Sequence, residues 1–181
     1  METNTMTTGV KSFTTTGREV AKPEFPLITP GKYEARLEVS GARINVASGG
    51  GKLPYISCPI EVLNSAVREG GRNRKVFHNF FLSLAPGKDG VAMVDRQNGL
   101  TAFSRATGMP LTLEDGGILT MQKANEDGTT TDVDVLNPQQ VLKWLQQLDG
   151  VVFSAKVKTE KGTAGYPDKS VIDYFIEASP Q

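Results

Sequence analysis

Side chains that could catalyse a reaction or hold a metal are few in this sequence. It contains one histidine, His78, and one cysteine, Cys58, which argues against a catalytic triad, a histidine metal site and a multi-cysteine zinc cluster. The glycine-rich turn at 48–52 resembles a phosphate loop, but Leu53 stands where that motif requires Ser or Thr. Lys123 likewise replaces the first aspartate of a calcium loop. We therefore predict a protein that is not an enzyme and that uses no metal and no cofactor.

Cations and aromatic rings, in contrast, recur together in two parts of the chain. Residues 68–75, REGGRNRK, form a basic loop that follows Tyr55 and precedes a run of phenylalanines, and residues 156–169 hold lysines around Tyr166. Single-stranded nucleic acid is bound by basic grooves that follow the phosphates and by aromatic rings on which bases stack. The residues predicted to make such contacts are Arg36, Tyr55, Arg72, Arg74, Lys75, Phe77, Lys156, Lys158, Tyr166 and Lys169.

Each of these features also has an interpretation without a ligand. A basic hairpin turn can simply be solvated, and lysines on an exposed strand protect that strand from aggregation. Phe77 and Phe81 can contact a ligand only if Phe80 faces the core. In a strand that is buried on both sides they would be core residues themselves, and the sequence leaves both alternatives open.

Alternating apolar and polar residues predict the strands that hold these side chains. The predicted strands cover residues 31–40, with a continuation to 46 after a break at Gly41, and residues 54–63, 76–82, 151–158 and 170–177. Pro59 lies in the second of them, and because proline has no N–H to donate, it predicts an edge position or a bulge.

Two helices and two polar segments complete the pattern. One helix is predicted over 93–107, and a second begins with Asn137 as N-cap and Pro138 as first residue. The segment 114–137 is acidic and is predicted to be a hairpin or a mobile insertion. Residues 1–24 are rich in threonine and lack periodicity, which predicts a flexible arm before a folded domain over 25–181.

The order of these elements predicts a mainly β fold with helical insertions. Three strands, a helical middle and two closing strands are the order of an OB-fold-like five-stranded barrel, β-β-β-α-β-β. That barrel binds oligonucleotides on the face of its second and third strands and through two loops. The basic loop 68–75 would then lie beside the binding face, and the loop 159–168 would be one of the two binding loops.

Four sequence segments also resemble a known family. They are Pro30-Gly31-Lys32-Tyr33, the Ser48–Gly51 turn, GRNRKVFHNF at 71–80, and Leu148-Asp149-Gly150-Val151 before a basic strand. Together they are similar to small bacteriophage single-stranded-DNA-binding proteins of replication and recombination modules, over roughly residues 27–177. The resemblance implies an OB-like barrel and sequence-independent binding and protection of single-stranded DNA in the cytoplasm of a bacterial host. It also implies replication or recombination proteins as partners, although the end of the chain, EASPQ, lacks the acidic tail that recruits partners in many such proteins.

The charge balance limits how the chain could bind nucleic acid. Among 181 residues, 20 are Lys or Arg and 20 are Asp or Glu, so the formal net charge is zero. This excludes a polybasic protein, because attraction must come from a local patch. It also predicts modest affinity per monomer, which a homo-oligomer would offset. No run of about 18 apolar residues and no signal-peptide core is present, which predicts an intracellular protein without a membrane contact.

Two functions of other classes remain open on the sequence alone. One is a phage structural or assembly protein, in which the threonine-rich arm would connect neighbouring subunits. The other is an adaptor or inhibitor of a host protein, in which the acidic segment 114–134 would mimic DNA.

Overall fold

The computed structural model describes residues 26–47 and 51–179, and within them the protein is mainly β with two α-helices. The strands are β1 (Gly31–Leu37), β2 (Arg43–Val46), β3 (Pro54–Val62), β4 (Arg68–Glu69), β5 (Arg72–Asn73), β6 (Lys75–Phe81), β7 (Ile118–Ala124), β8 (Thr130–Leu136), β9 (Val152–Glu160) and β10 (Lys169–Ile176). The helices are α1 (Leu100–Thr107) and α2 (Pro138–Gln147), and short 3-10 turns lie at Val39–Gly41 and Met93–Asp95. The mainly β class predicted from the sequence is confirmed. The predicted arm, residues 1–24, lies outside the described residues.

The main sheet is organised around β3, which pairs with three other strands. Five of its strands follow one another in the order β10-β9-β1-β3-β2. The sixth strand, β6, also pairs with β3. β2 faces the first half of β3 at Pro54–Ser57, and β1 faces its last residues at Ile60–Val62. Because β6 runs along Tyr55–Glu61, β1 and β2 share the opposite edge of β3.

Pro59 lies inside β3, in regular pairing with Phe77, so the predicted edge position or bulge is wrong. Proline is accommodated there because the 3-10 turn Val39–Gly41 interrupts the neighbouring strand at this level, and no ladder bond to its missing N–H is lost. The Pro59 carbonyl accepts a hydrogen bond from the Glu38 N–H at 3.1 Å. Gly41 allows the close approach, since a Cβ at this position would lie 2.6 Å from Pro59 Cγ.

The inward side chains of the sheet and the helices form a shared apolar core. Period-two alternation buries Leu37 of β1, Ile60 of β3 and Val157 of β9 in it. Trp144 of α2 is buried as well, and its indole N–H donates to the Pro110 carbonyl at 3.1 Å. Four aromatic rings meet at the centre of this core, those of Phe80, Phe103, Phe153 and Phe175.

Helix α1 is shorter than the helix predicted over 93–107. Met93–Asp95 form a 3-10 turn, and α1 begins only after Gly99, which is its extended N-cap residue. A Cβ at Gly99 would lie 2.5 Å from the Met93 carbonyl oxygen. The tight packing of the turn against this glycine therefore separates the two short helical pieces.

The sheet is not closed into the predicted five-stranded barrel. Among the described residues no ladder joins β6 to β10, the two strands that face each other across the opening. The segment before α1 fills this seam: the Phe175 N–H donates to the Gln97 carbonyl at 3.0 Å, and His78 Nε2 donates to the Asn98 carbonyl at 2.7 Å. The His78 and Phe175 rings lie 5.2 Å apart. The two sheet edges thus meet through a loop and side chains.

The acidic segment 114–137 folds as the hairpin β7–β8, which pairs from Ile118–Leu136 to Ala124–Thr130. A bridge between Ser83 and Val135 attaches it to the chain that follows β6. Asn137 then caps α2, because its side-chain oxygen accepts a hydrogen bond from the Gln139 N–H at 3.1 Å. The predicted start of this helix at Asn137-Pro138 is confirmed.

Candidate nucleic-acid interface

The outer face of the sheet is the side of β1, β3, β6, β9 and β10 that points away from the core. On β6 the alternation places Phe80 in the core with no exposed surface, and leaves Phe77 with 69 % of its surface exposed. Phe80 therefore faces the core, which is the condition under which Phe77 could contact a ligand. Tyr55 of β3 lies opposite Phe81 of β6, and their ring centroids are 5.4 Å apart. Three aromatic rings thus lie on the outer face of two paired strands.

A groove of about 740 Å³ continues this face toward the β4–β5 hairpin. Its cationic lining comes from separate parts of the chain: Arg36 of β1, Arg68 of β4, Arg72 of β5 and Lys75 of β6. Gly70 and Gly71 form the two-residue turn of the hairpin, with φ of 58° and 77°. Positive φ at both positions is what the tightest hairpin turn needs, so the two glycines place Arg68 and Arg72 at the rim of the groove.

Carboxylates neutralise two of the four cations that line this groove, Arg36 and Lys75. Glu61 accepts hydrogen bonds from Arg36 Nε at 3.0 Å and from the Asn73 side-chain amide at 2.8 Å. Lys75 Nζ lies 2.5 Å from a Glu38 carboxylate oxygen. The hydrogen bond from Arg36 lowers the pKa of Glu61, and the Asn73 amide and the charges of Arg36 and Lys75 lower it further. Glu61 is therefore ionised at neutral pH, and the groove has mixed charge.

Arg74 is not part of the groove lining, although it lies between Asn73 and Lys75 in sequence. It forms an ion pair with Glu69 of the β4–β5 hairpin. Arg72, in contrast, has no ion pair within the described part of the chain. The basic loop predicted as one patch therefore divides, with Arg72 and Lys75 in the groove and Arg74 outside it.

The predicted residues near the end of the chain form a second, separate group. Lys156 and Lys158 point outward from β9, and Asp173 of β10 lies between them, 3.7 Å from Lys156 Nζ and 2.7 Å from Lys158 Nζ. These lysines lower the pKa of Asp173, Lys158 most strongly through its hydrogen bond. Lys156 Nζ also lies 5.4 Å from the centre of the Tyr174 ring.

This second group is separated from the groove by a distance along β9. Lys156 is four positions beyond Val152, the partner of Arg36 in the β1–β9 ladder, which is about 13 Å along an extended strand. Lys169 pairs with Glu160 at 3.0 Å. Tyr166, in the loop between β9 and β10, has 69 % of its surface exposed. The structure thus brings Arg36, Arg72 and Lys75 together in the groove, and Phe77 is the next outward residue of β6 after Lys75. Tyr55 lies six positions from Glu61 along β3, which is about 20 Å from the groove, and the other predicted residues lie elsewhere.

The sequence prediction omitted the groups that most alter this site. Arg68 belongs to the basic loop but was not among the predicted contacts. Glu38, Glu61 and Asp173 carry neither a positive charge nor an aromatic ring, so the pattern that predicts the site does not contain them. The signal for Glu61 was present, since it alternates outward on the same strand as Tyr55.

Cys58 and His78, the cysteine and the histidine of the sequence, are buried away from the outer face. Burial raises the pKa of the Cys58 thiol to about 12 and lowers the pKa of His78 to about 4. No group of His, Cys, Asp and Glu side chains within residues 26–47 and 51–179 could hold a metal ion. In the same residues, no helix is long and apolar enough to cross a membrane.

Comparison with known proteins returned no relative: no family model, no curated protein and no solved structure matches the chain.

Proposed function

We propose that this protein binds single-stranded DNA without sequence preference, as a non-enzymatic protein of phage replication or recombination in the host cytoplasm. The observation that supports this most is the continuity of two surfaces. Lys75 and Phe77 are successive outward residues of β6, about 7 Å apart, so the cationic groove passes directly into the aromatic surface. A strand on this path would place phosphates in the groove and bases on Phe77, Tyr55 and Phe81.

The arrangement of the strands supports an OB-like interpretation of the fold. β1, β3 and β6 are successive neighbours, the helical middle follows, and β9–β10 returns to pair with β1. An OB-fold is a partly open barrel that binds oligonucleotides on its second and third strands. In this interpretation β3 and β6 are those strands. Tyr166 and Lys169 then belong to the binding loop between the last two strands, and Lys156 and Lys158 extend the phosphate path.

Fluorescence anisotropy tests this proposal with a labelled oligo-dT of about 30 nucleotides at about 50 and about 200 mM salt, with duplex DNA as competitor. We expect binding that weakens with salt and resists the duplex. The double variant Arg72→Ala/Lys75→Ala should bind more weakly. Its log–log salt slope should be flatter by about 0.7 to 1.4, because each single-strand phosphate contact contributes up to about 0.7.

The matched control removes two cations from other parts of the surface. Lys88→Ala/Lys143→Ala changes the net charge equally, and neither lysine lies on the outer face. We expect this control to retain the wild-type slope. An unchanged slope in Arg72→Ala/Lys75→Ala would exclude the groove from the interface, and no binding of the wild type at micromolar protein in low salt would contradict the proposal itself.

A further inference from the structure

Two of the four cations that line the groove are already paired with carboxylates of the same surface. Arg36 is paired with Glu61 and Lys75 with Glu38, while Arg68 and Arg72 have no ion pair within the described residues. Glu61 is held in place by Asn73 as well, and only 14 % of its side chain is exposed. A phosphate that enters the groove therefore meets Arg36 and Lys75 with an anion already bound to each of them.

Such a carboxylate competes with phosphate at high effective concentration, because it is attached to the same sheet. Exchanging one anion for another at Arg36 or Lys75 yields little net attraction, because an ion pair with the carboxylate is lost for each ion pair that forms with a phosphate. A ligand that offers phosphates alone, such as duplex DNA, has no other contact on this face, because its bases are stacked inside the helix. A single strand can add stacking on Phe77 and Tyr55.

We propose that Glu38 and Glu61 are built-in competitors of the nucleic-acid backbone, which keep the groove from retaining polyanions that offer phosphate alone. This inference rests on the proposed function, because it concerns the same site. Both carboxylates weaken phosphate contacts for every nucleic acid by a similar factor. Duplex DNA then falls below useful affinity, while a single strand stays bound through its stacked bases.

The test measures the affinity of the full chain for two probes, a roughly 30-nucleotide oligo-dT and a duplex of the same length, at several salt concentrations. The variants are Glu38→Gln, Glu61→Gln and the double variant, which keep the size of each side chain and one acceptor oxygen while they remove the negative charge. We expect each single variant to bind both probes about five-fold more tightly, which corresponds to about 1 kcal/mol. The duplex should become measurably bound by the double variant.

The salt dependence of binding shows whether the gain in affinity comes from the cations that each glutamine variant releases in the groove. In the wild type a displaced carboxylate takes up a cation from solution, which offsets part of the counterion release from the DNA. The glutamine variants should therefore have a slope steeper by up to about 0.7 for each released cation on the single strand. The matched control is Asp89→Asn, which removes one negative charge from the Arg96–Asp89 ion pair of 2.9 Å, away from the groove.

The results distinguish a failure of the competitor role from a failure of the proposed function. If the wild type binds oligo-dT but both glutamine variants behave like Asp89→Asn, the competitor role is wrong and the proposed function stands. If neither the wild type nor any variant binds either probe at low salt, both are wrong. Thermal unfolding of each variant confirms that the binding changes occur in folded protein.

Discussion

Phe77 and Phe80 lie three positions apart on β6 and have opposite environments. Phe80 has no exposed surface and packs against Phe103 and Phe175 in the core, with centroid distances of 5.2 and 5.9 Å. Phe77 is 69 % exposed, on the same side of β6 as Lys75. A large ring held in water contributes little to folding, and in the proposed function this ring beside the cationic groove is the surface on which a base stacks.

Replacing Phe77 with alanine should therefore separate binding from stability. We expect Phe77→Ala to weaken oligo-dT binding about ten-fold, since a stacked base contributes about 1–3 kcal/mol. Its free energy of unfolding should change by less than about 0.5 kcal/mol, because the ring is exposed. Anisotropy and urea denaturation measure the two quantities. Met109→Ala, an exposed apolar residue after α1, is the control and should alter neither; equal affinity of Phe77→Ala and wild type would remove this ring from the interface.

At the scale of elements, Asn137 connects α2 to the acidic hairpin. Its side-chain oxygen caps the helix at the Gln139 N–H, and its side-chain amide donates to the Gly116 carbonyl at 3.0 Å. The backbone N–H of Asn137 also donates to the Gly117 carbonyl at 2.8 Å. One residue thus fixes both the start of α2 and the base of β7–β8.

Removing this side chain should destabilise the fold measurably. Asn137→Ala should lower the free energy of unfolding by about 1–2 kcal/mol, the usual cost of a lost N-cap together with a second hydrogen bond. Asn137→Ser retains a capping oxygen and loses the amide donor to Gly116, so it should recover most of the stability that Asn137→Ala loses. Chemical denaturation of both variants provides the comparison. Equal losses in both would show that the cap contributes little and that the link to Gly116 dominates.

At the scale of the whole molecule, the seam between β6 and β10 is where the sheet remains open. His78 occupies it, buried between the rings of Phe80 and Phe175 at 4.7 and 5.2 Å. Burial penalises the imidazolium form and lowers the pKa of His78 to about 4, although the hydrogen bond to the Asn98 carbonyl opposes this. The seam thus encloses a neutral histidine.

The stability of the protein should depend on pH through this residue. Unfolded His78 takes up a proton below about pH 6.5, whereas folded His78 stays neutral down to about pH 4. The unfolded state therefore binds more protons in this window. The free energy of unfolding should fall as the pH decreases from about 6.5 to about 4, by roughly 3 kcal/mol at most.

Urea denaturation at a series of pH values measures this dependence. His78→Gln keeps an N–H donor for Asn98 and cannot titrate, so its stability should be nearly constant between about pH 6.5 and 5. Carboxylates with lowered pKa, such as Glu61 and Asp173, lose their contribution only at lower pH. The same slope in His78→Gln and the wild type would show that another group titrates in this window.

The charge of the whole molecule is also balanced locally. Its net charge is zero, and cations of the outer face are paired with carboxylates of neighbouring strands, as in Arg36–Glu61 and Lys158–Asp173. The molecule as a whole therefore exerts little long-range attraction on nucleic acid, and the proposed binding requires contacts within the groove.

Local patterns in the sequence were sufficient for the outward and inward residues of β1 and β3, whereas β6, with large apolar groups on both faces, was assigned only by the structure. The alternation in β1 and β3 determined which side chains face the core, because side chains of an extended chain point to opposite sides in turn. The capping pair Asn137-Pro138 determined the start of α2 for a similarly local reason. The scarcity of histidine and cysteine was equally visible in the composition.

Only the tertiary structure decided which outward residues lie together. Arg36, Arg72 and Lys75 meet in one groove because the β1–β3 and β3–β6 registers set Glu61 opposite both Arg36 and Lys75. Register depends on turns and on core packing between distant segments, which periodicity along one strand does not contain. Periodicity likewise does not show that Arg74 lies outside the groove, that Lys156 lies at a distance from it, or that the seam at His78 stays open. Periodicity therefore determined the faces of β1 and β3, and long-range packing determined which residues lie together in the candidate site.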